Sequence, residues 1–306
     1  MLRYIINRLG QTIIVLFVVT IIAFLLIRLA PGNPALLLLP DTATPEQVAL
    51  MEQQLGMDKP LVMQYFSYLN GLLHGDLGYS IAYRQPAAQI IFARLPNTIV
   101  LAFGTVIFAC ILAIPLGIIA GANRGKPIDV FAMFFALLGQ SMAAQWLAVL
   151  LIYVFAVWLG WLPALGTGGL KYLILPVITM GYPMAATSTR IGRSGMVDTL
   201  AEDYITATYA KGIGKYKVYT KYAFRNAVIP IVTMMGLSLG VHLGGSVVVE
   251  TVFSYSGIGQ LLNQSVNGRD YAVVQSLLLI SAFYFAFFNI VVDIINSFID
   301  PRLSRE

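Results

Sequence analysis

The chain has 306 residues, of which 58% are apolar and 11% charged, and its mean hydropathy is +0.79. That balance excludes a soluble globular domain and points to an integral membrane protein. The net charge of +5 would suggest nucleic acid in a soluble chain, but cytoplasmic loops of membrane proteins collect Lys and Arg, so no nucleic-acid partner is expected.

A membrane helix needs about 20 predominantly apolar residues, and six stretches qualify. The first, at about 9–29, follows a short basic start with Arg3 and Arg8. Its apolar run is long and Arg28 interrupts any cleavage site, so it reads as an uncleaved span rather than a signal peptide. PGNP at 31–34 stops that helix, because proline removes a backbone donor and restrains its predecessor.

The segment from Ala30 to Pro96 is the largest polar stretch. Thr44-Pro45-Glu46-Gln47 predicts the start of a helix reaching Leu55, and a second runs from Pro60 to Leu73. HGDLGYS at 74–80 reads as a loop. These helices are expected on the outer membrane surface or against the bundle. The remaining spans fall at about 97–122, 131–159, 172–190, 227–249 and 272–294. Cys110, the one cysteine, sits inside a span and leaves no disulfide framework or thiol metal site.

Between the fourth and fifth spans lies a polar island, 199–226, with five of the nineteen Lys and Arg residues. Thr199 and Glu202 have capping-box spacing and predict a helix start. Lys211-Gly212 predicts its end, with Gly212 free to take the left-handed cap conformation. A second basic, aromatic segment follows from Lys215 to Arg225. Short helix, glycine break and second helix make a rigid knob suited to docking into something outside the membrane. With the N-terminus inside, the inner segments 1–8, 123–130, 190–226 and 295–306 hold thirteen of the nineteen basic residues. The knob and both termini are therefore expected on the cytoplasmic side.

Enzymatic signatures are missing. The chain has no GxxxxGK[ST] loop, no HExxH and no Ser, His and acid set with a nucleophile elbow. His74 reads as a loop residue and His242 as a packing residue in the fifth span. Glu250 and Asp293 sit at span ends, where interfacial solvation accounts for them. No acid falls mid-span, which counts against a proton-driven carrier.

Several motifs in order carry a resemblance: PGNP at 31–34, LGMDKPLVMQY at 55–65, HGDLGYS at 74–80, EDYITATYAKG at 202–212, RNAVIPIVTMMG at 225–236, GGSVVVETVFSYSGIGQLL at 244–262, RDYAVVQ at 269–275 and DPRL at 300–303. The chain resembles the inner-membrane permease subunits of ATP-binding-cassette importers, in the dipeptide/oligopeptide/nickel group and its B-type subunit. Thr206 stands where the group often has Arg, SYSG at 254–257 where Trp-Pro-Gly is usual, and Ala143 where the third span often has Pro.

The resemblance implies an all-α membrane protein of six transmembrane helices with the type I ABC importer permease fold. Residues 1–93 would form the first helix and outer segment, 94–297 the transmembrane domain with its coupling region at 199–226, and 298–306 a cytoplasmic tail. It implies a bacterial inner-membrane location and no ATPase site in this chain. ATP and Mg would be held by two partner ATP-binding subunits. A second homologous permease, an extracytoplasmic solute-binding protein and membrane lipid complete the partners. Coupling residues carried over are Glu202, Asp203, Tyr204, Thr206, Ala207, Ala210, Lys211 and Gly212. Candidate path-lining residues are Gln140, Ser141, Gln145, Met235, Ser238 and His242, with no catalytic or metal residue. The expected solute is a peptide; a nickel chelate or glutathione is the alternative within the group. The rival class is an ATP-independent secondary carrier, which predicts internal inverted repeats and a polar midplane site.

Overall fold

The computed structural model describes residues 2–29, 39, 43–54 and 58–299. The PGNP stop at 31–34 and the DPRL segment at 300–303 lie outside them. The described residues are mostly helical, with one small hairpin and with turns and loops between the helices.

Helix α1 (Leu2–Leu29) is followed by α2 (Pro45–Gln54), whose start is a reciprocal capping box. Gln47 N donates to Thr44 Oγ1 at 3.4 Å and Thr44 N to Gln47 Oε1 at 3.0 Å, which satisfies two amides that a helix start leaves open. Helix α3 (Leu61–Leu73) rests on α1, with the Thr20 and Tyr65 hydroxyls 2.7 Å apart and the Phe24 ring edge-on to Tyr65. Of the two expected settings for this helix, the membrane surface or the bundle, the structure shows contact with the bundle through α1. A hairpin of β1 (Tyr79–Ser80) and β2 (Gln85–Pro86) then leads directly into α4 (Ala87–Ala122). The predicted boundary at residue 94 thus falls inside a helix that begins at Ala87.

Three predicted spans have different limits. The stretch 131–159 is two helices, α5 (Pro127–Ser141) and α6 (Ala144–Leu151), meeting at 103°. Met142 and Ala143 between them are extended, so the bend forms without proline. Helix α6 continues as a π-helical turn, Ile152–Trp158, closed by Leu159 N donating to Val154 O at 2.9 Å. The stretch 172–190 is only the first part of α7 (Leu170–Leu200), which carries its helix well past Arg190. The stretch 227–249 is α10 (Ile229–Leu243), then a break at Gly244-Gly245, then α11 (Val247–Val252). Gly245 has φ +92, a left-handed conformation that disfavours any side chain.

The knob comprises α8 (Asp203–Ala210) and α9, which opens at Lys215–Lys217, widens to a π turn over Val218–Ala223 and closes at Phe224–Ala227. At the far end of the chain, α12 (Ile258–Asn267) and α13 (Tyr271–Ile299) complete the bundle. Among the described residues, α4 and Tyr271–Val292 of α13 are long and apolar enough to cross a membrane; α5 with α6, and α9 with α10, qualify as bent pairs. The other two expected crossings fall on α1, whose apolar described stretch is Gly10–Leu25, and on α7, which mixes Thr, Gly and Arg into its apolar run.

The core is built on α4 packed along α7. Small residues permit the approach: a Cβ at Gly117 would lie 3.2 Å from the Thr189 carbonyl, and one at Gly121 only 2.5 Å from Met196 Cβ. Close backbones of this kind replace the hydrophobic drive that lipid does not supply between helices. At the hairpin end, Glu250 is fully buried. Its Oε2 accepts from Gly259 N at 2.8 Å and Gln260 N at 3.0 Å, and its Oε1 from Thr98 Oγ1 at 3.2 Å. The carboxylate therefore caps the start of α12, and interfacial solvation, the expectation from sequence, is not its setting.

Candidate coupling site

Helix α8 begins one turn later than the capping-box spacing predicts. Thr199 belongs to α7 and is buried, and Glu202 occupies the cap position with no side-chain bond to the helix amides. The turn between them is closed by Glu202 N donating to Thr199 O at 3.2 Å. The helix ends as its sequence predicts: Lys211 is the last cap, and Gly212, at φ +76, donates its amide to Tyr209 O at 2.9 Å.

Only two residues of α8 are buried, Ile205 and Thr208, three apart on one face. Ile205 packs into a cluster with Met196 of α7 and Val218, Ala223 and Ala227 of α9. That single apolar anchor fixes the short helix to the end of α7. Glu202, Asp203, Tyr204, Thr206, Ala207, Ala210, Lys211 and Gly212, the coupling candidates, are all exposed.

Hydrogen bonds brace the same unit from its sides. Asn226 Nδ2 donates to the Tyr204 hydroxyl at 2.9 Å, and Thr208 Oγ1 to Tyr204 O at 2.7 Å. Burial raises the Tyr209 phenol above its usual pKa, and a side-chain hydrogen bond with Tyr219 acts in the same direction. Below the knob, Arg193 of α7 grips Asp129 of α5 through Nε to Oδ1 at 2.5 Å and Nη2 to Oδ2 at 2.7 Å. Gly125 N adds a bond to Asp129 Oδ2 at 2.9 Å, which ties in the α4–α5 turn. The knob is thus continuous with the bundle through α7, and α7 is locked to α5. Sequence reasoning missed Ile205, Asp129 and Arg193. The spacing of Ile205 and Thr208 inside a polar helix was the one available signal.

The path candidates are dispersed. Gln140 Nε2 donates to Thr187 Oγ1 at 3.4 Å beside the α5–α6 bend, and Ser141 and Gln145 are exposed on either side of that bend. Ser238 and His242 are half-buried on α10, while Met235 is buried among Ala109, Ala113, Met184 and Ile231. Among the described residues no group of three His, Cys, Asp or Glu could hold a metal ion.

Comparison with known proteins meets this geometry. Residues 113–305 match the model of the binding-protein-dependent transport system inner membrane component, and residues 1–102 match the N-terminal model of the same system. This chain belongs to that family. It is an importer permease subunit of the ABC class, in the dipeptide/oligopeptide/nickel group, and an integral membrane protein that works with other subunits. Over 303 residues, 99% of both chains, it is 42% identical to the glutathione transport system permease protein GsiC of Escherichia coli O6:H1. The same protein in Escherichia coli strain K12 and in Shigella dysenteriae serotype 1 is 41% identical over the same span. Among solved structures, the chain is similar to two crystal forms of the inward-facing MetNI methionine ABC transporter. The TM-scores are 0.59 and 0.58, at 17% identity, covering 69% of this chain and 97% and 96% of those chains. At that identity the likeness shows the fold, a type I importer permease.

Proposed function

We propose that this permease forms half of the pathway of an ATP-driven importer for short peptides or glutathione, and that residues 202–212 pass motion to it from partner ATPase subunits. The observation that carries the reading is the division within α8: one face is anchored by Ile205, and all eight coupling candidates are left exposed. A helix eight residues long has little stability alone, so its rigidity comes from the knob it is packed on. A force applied to its exposed side therefore moves α7, and the Arg193–Asp129 pair carries that motion to α5.

ATP and Mg are bound by two partner subunits, this chain having no phosphate loop of its own. A second homologous permease supplies the other half of the pathway, and an extracytoplasmic binding protein delivers the solute. The chain sits in the bacterial inner membrane with both termini and the knob in the cytoplasm, a reading that rests on the thirteen inner basic residues. The name of the relatives supports glutathione or a similar small peptide over a nickel chelate.

Asp203→Arg tests the reading, because it reverses a charge on the exposed side of α8 without touching Ile205. The expected result is a protein that inserts normally, loses at least ten-fold in uptake and no longer co-purifies with its ATPases. Uptake at the parent level sinks the coupling role. Cysteine labelling gives the orientation: a thiol placed at Lys217 should react only from the cytoplasm and one at Lys59 only from outside.

A further inference from the structure

Helix α7 carries a polar stripe that neither its packing nor the coupling role uses. Thr187, Arg190, Ser194 and Asp198 recur at spacings of three and four, so they share one face over three turns. Thr187 is half-buried and bonded to Gln140 at the α5–α6 bend; the other three are exposed. Arg193, on the neighbouring face, is paired with Asp129. Arg190 and Asp198, in contrast, have no side-chain partner among the described residues.

The stripe borders a cavity of about 300 Å³, lined by Arg190, Ile191, Ser194, Gly195, Asp198 and, across from them, Pro230 of α10. Gly195 brings the walls together: a Cβ there would sit 3.4 Å from the Ala227 carbonyl, at the 47° bend between α9 and α10. The cavity therefore has an apolar wall, a hydroxyl at its middle and opposite charges at its two ends.

We propose that this cavity is an exit-side binding site for a short peptide with free termini, Arg190 taking the carboxylate and Asp198 the ammonium. The inference rests on the peptide-importer reading and names the solute's contacts within it. Spacing sets the length. Eight residues of helix separate the two charges by about 12 Å, and three extended peptide residues reach about 10 Å, leaving the side chains to close the gap. Arg190 presents the planar fork that fits a carboxylate, and Ser194 lies where a peptide amide would need an acceptor or donor. Both charges are solvated, so the hold is weak, as release from a transport pathway requires.

The test uses the complete transporter, with partner permease, ATPases and binding protein, in proteoliposomes on a Cys110→Ala, Ser194→Cys background. The probe is Ala-Cys-Ala activated as a thiopyridyl disulfide. The introduced thiolate attacks the probe's cysteine sulfur, a protein–peptide disulfide forms, and thiopyridone leaves. Labelled trialanine reports uptake in parallel. The expected result is trapping during ATP turnover that falls at least five-fold with Arg190→Gln and with Asp198→Asn, while the complex stays assembled. Trapping indifferent to both substitutions, alongside normal trialanine uptake, overturns the site and leaves the importer reading intact. Loss of the partner permease from either variant also overturns it, because the stripe is then a subunit contact. No trialanine uptake by the parent refutes the peptide reading, and the proposed occupant with it.

Discussion

Arg193 and Asp129 meet in a two-pronged ion pair, with the carboxylate almost wholly buried and the guanidinium about a quarter exposed. The pair joins the end of α7 nearest the knob to the start of α5, and Gly125 completes the carboxylate's bonding. Removing either partner leaves the other charge partly desolvated.

Asp129→Asn and Arg193→Gln are each expected to lower stability by about 1–3 kcal/mol, less than for a fully buried pair because Arg193 reaches solvent. Transport should fall further than stability, since the α7–α5 link is broken. Melting of the purified protein and uptake in vesicles, measured together, separate the two effects. Uptake that tracks melting alone counts against a mechanical role.

Ile205→Ala removes the one large apolar contact of α8. The expected cost is roughly 2–4 kcal/mol at the knob, local rather than global because α8 is anchored by that side chain. Hydrogen exchange over 203–210 should accelerate while exchange in α4 stays slow. Uniform acceleration would show that the knob is part of the bundle core.

Glu250→Gln keeps the shape of the α12 cap but replaces one accepting oxygen by a donor. The glutamine oxygen can still accept from Gly259 N and Gln260 N, but its Nε2 must then donate to Thr98 Oγ1. That strips the Thr98 hydroxyl hydrogen of its acceptor, and an unsatisfied buried group costs about 1–3 kcal/mol. Gly257→Ala should be worse, because its Cβ would lie 2.3 Å from Glu250 Oε2 and 2.4 Å from Thr98 Oγ1. Thiol labelling at Gln264→Cys, on the exposed face of α12, should become faster in both variants, and unchanged rates would refute the capping role.

Ser80→Ala is expected to free the hairpin. Ser80 Oγ donates to the buried Asp270 carboxylate and accepts from Tyr83 N at 3.0 Å, so the hydroxyl fastens the turn to the start of α13 beside Ala82 N, which donates to the same carboxylate oxygen at 3.3 Å. Limited proteolysis should then cut within 79–86 while the helices remain intact. Resistance equal to the parent would mean that Gly78 packing against Ala272 suffices.

Much of this was legible in the chain. Apolar runs located the membrane helices because the cost of burying a backbone polar group in lipid leaves helix as the available form. Thr44-x-x-Gln47 and Gly212 marked helix ends, since capping is a local matter of adjacent amides. The Thr199–Glu202 spacing misled for the opposite reason. Thr199 finds a buried place in α7, and a tertiary contact outweighs a cap of about 1 kcal/mol. The bend after Ser141 had no proline to announce it, and the polar stripe on α7 was hidden in a helix expected to end at residue 190.

The sequence by itself determined a helical membrane protein, the order of its elements and the position of the exposed knob, because hydropathy and capping act over neighbouring residues. The tertiary structure alone decided that Arg193 meets Asp129, 64 positions away, and that Glu250 caps α12 with help from Thr98, 152 positions away. Pairings between distant residues depend on how closely helices approach, and that distance is set by the small side chains packed between them.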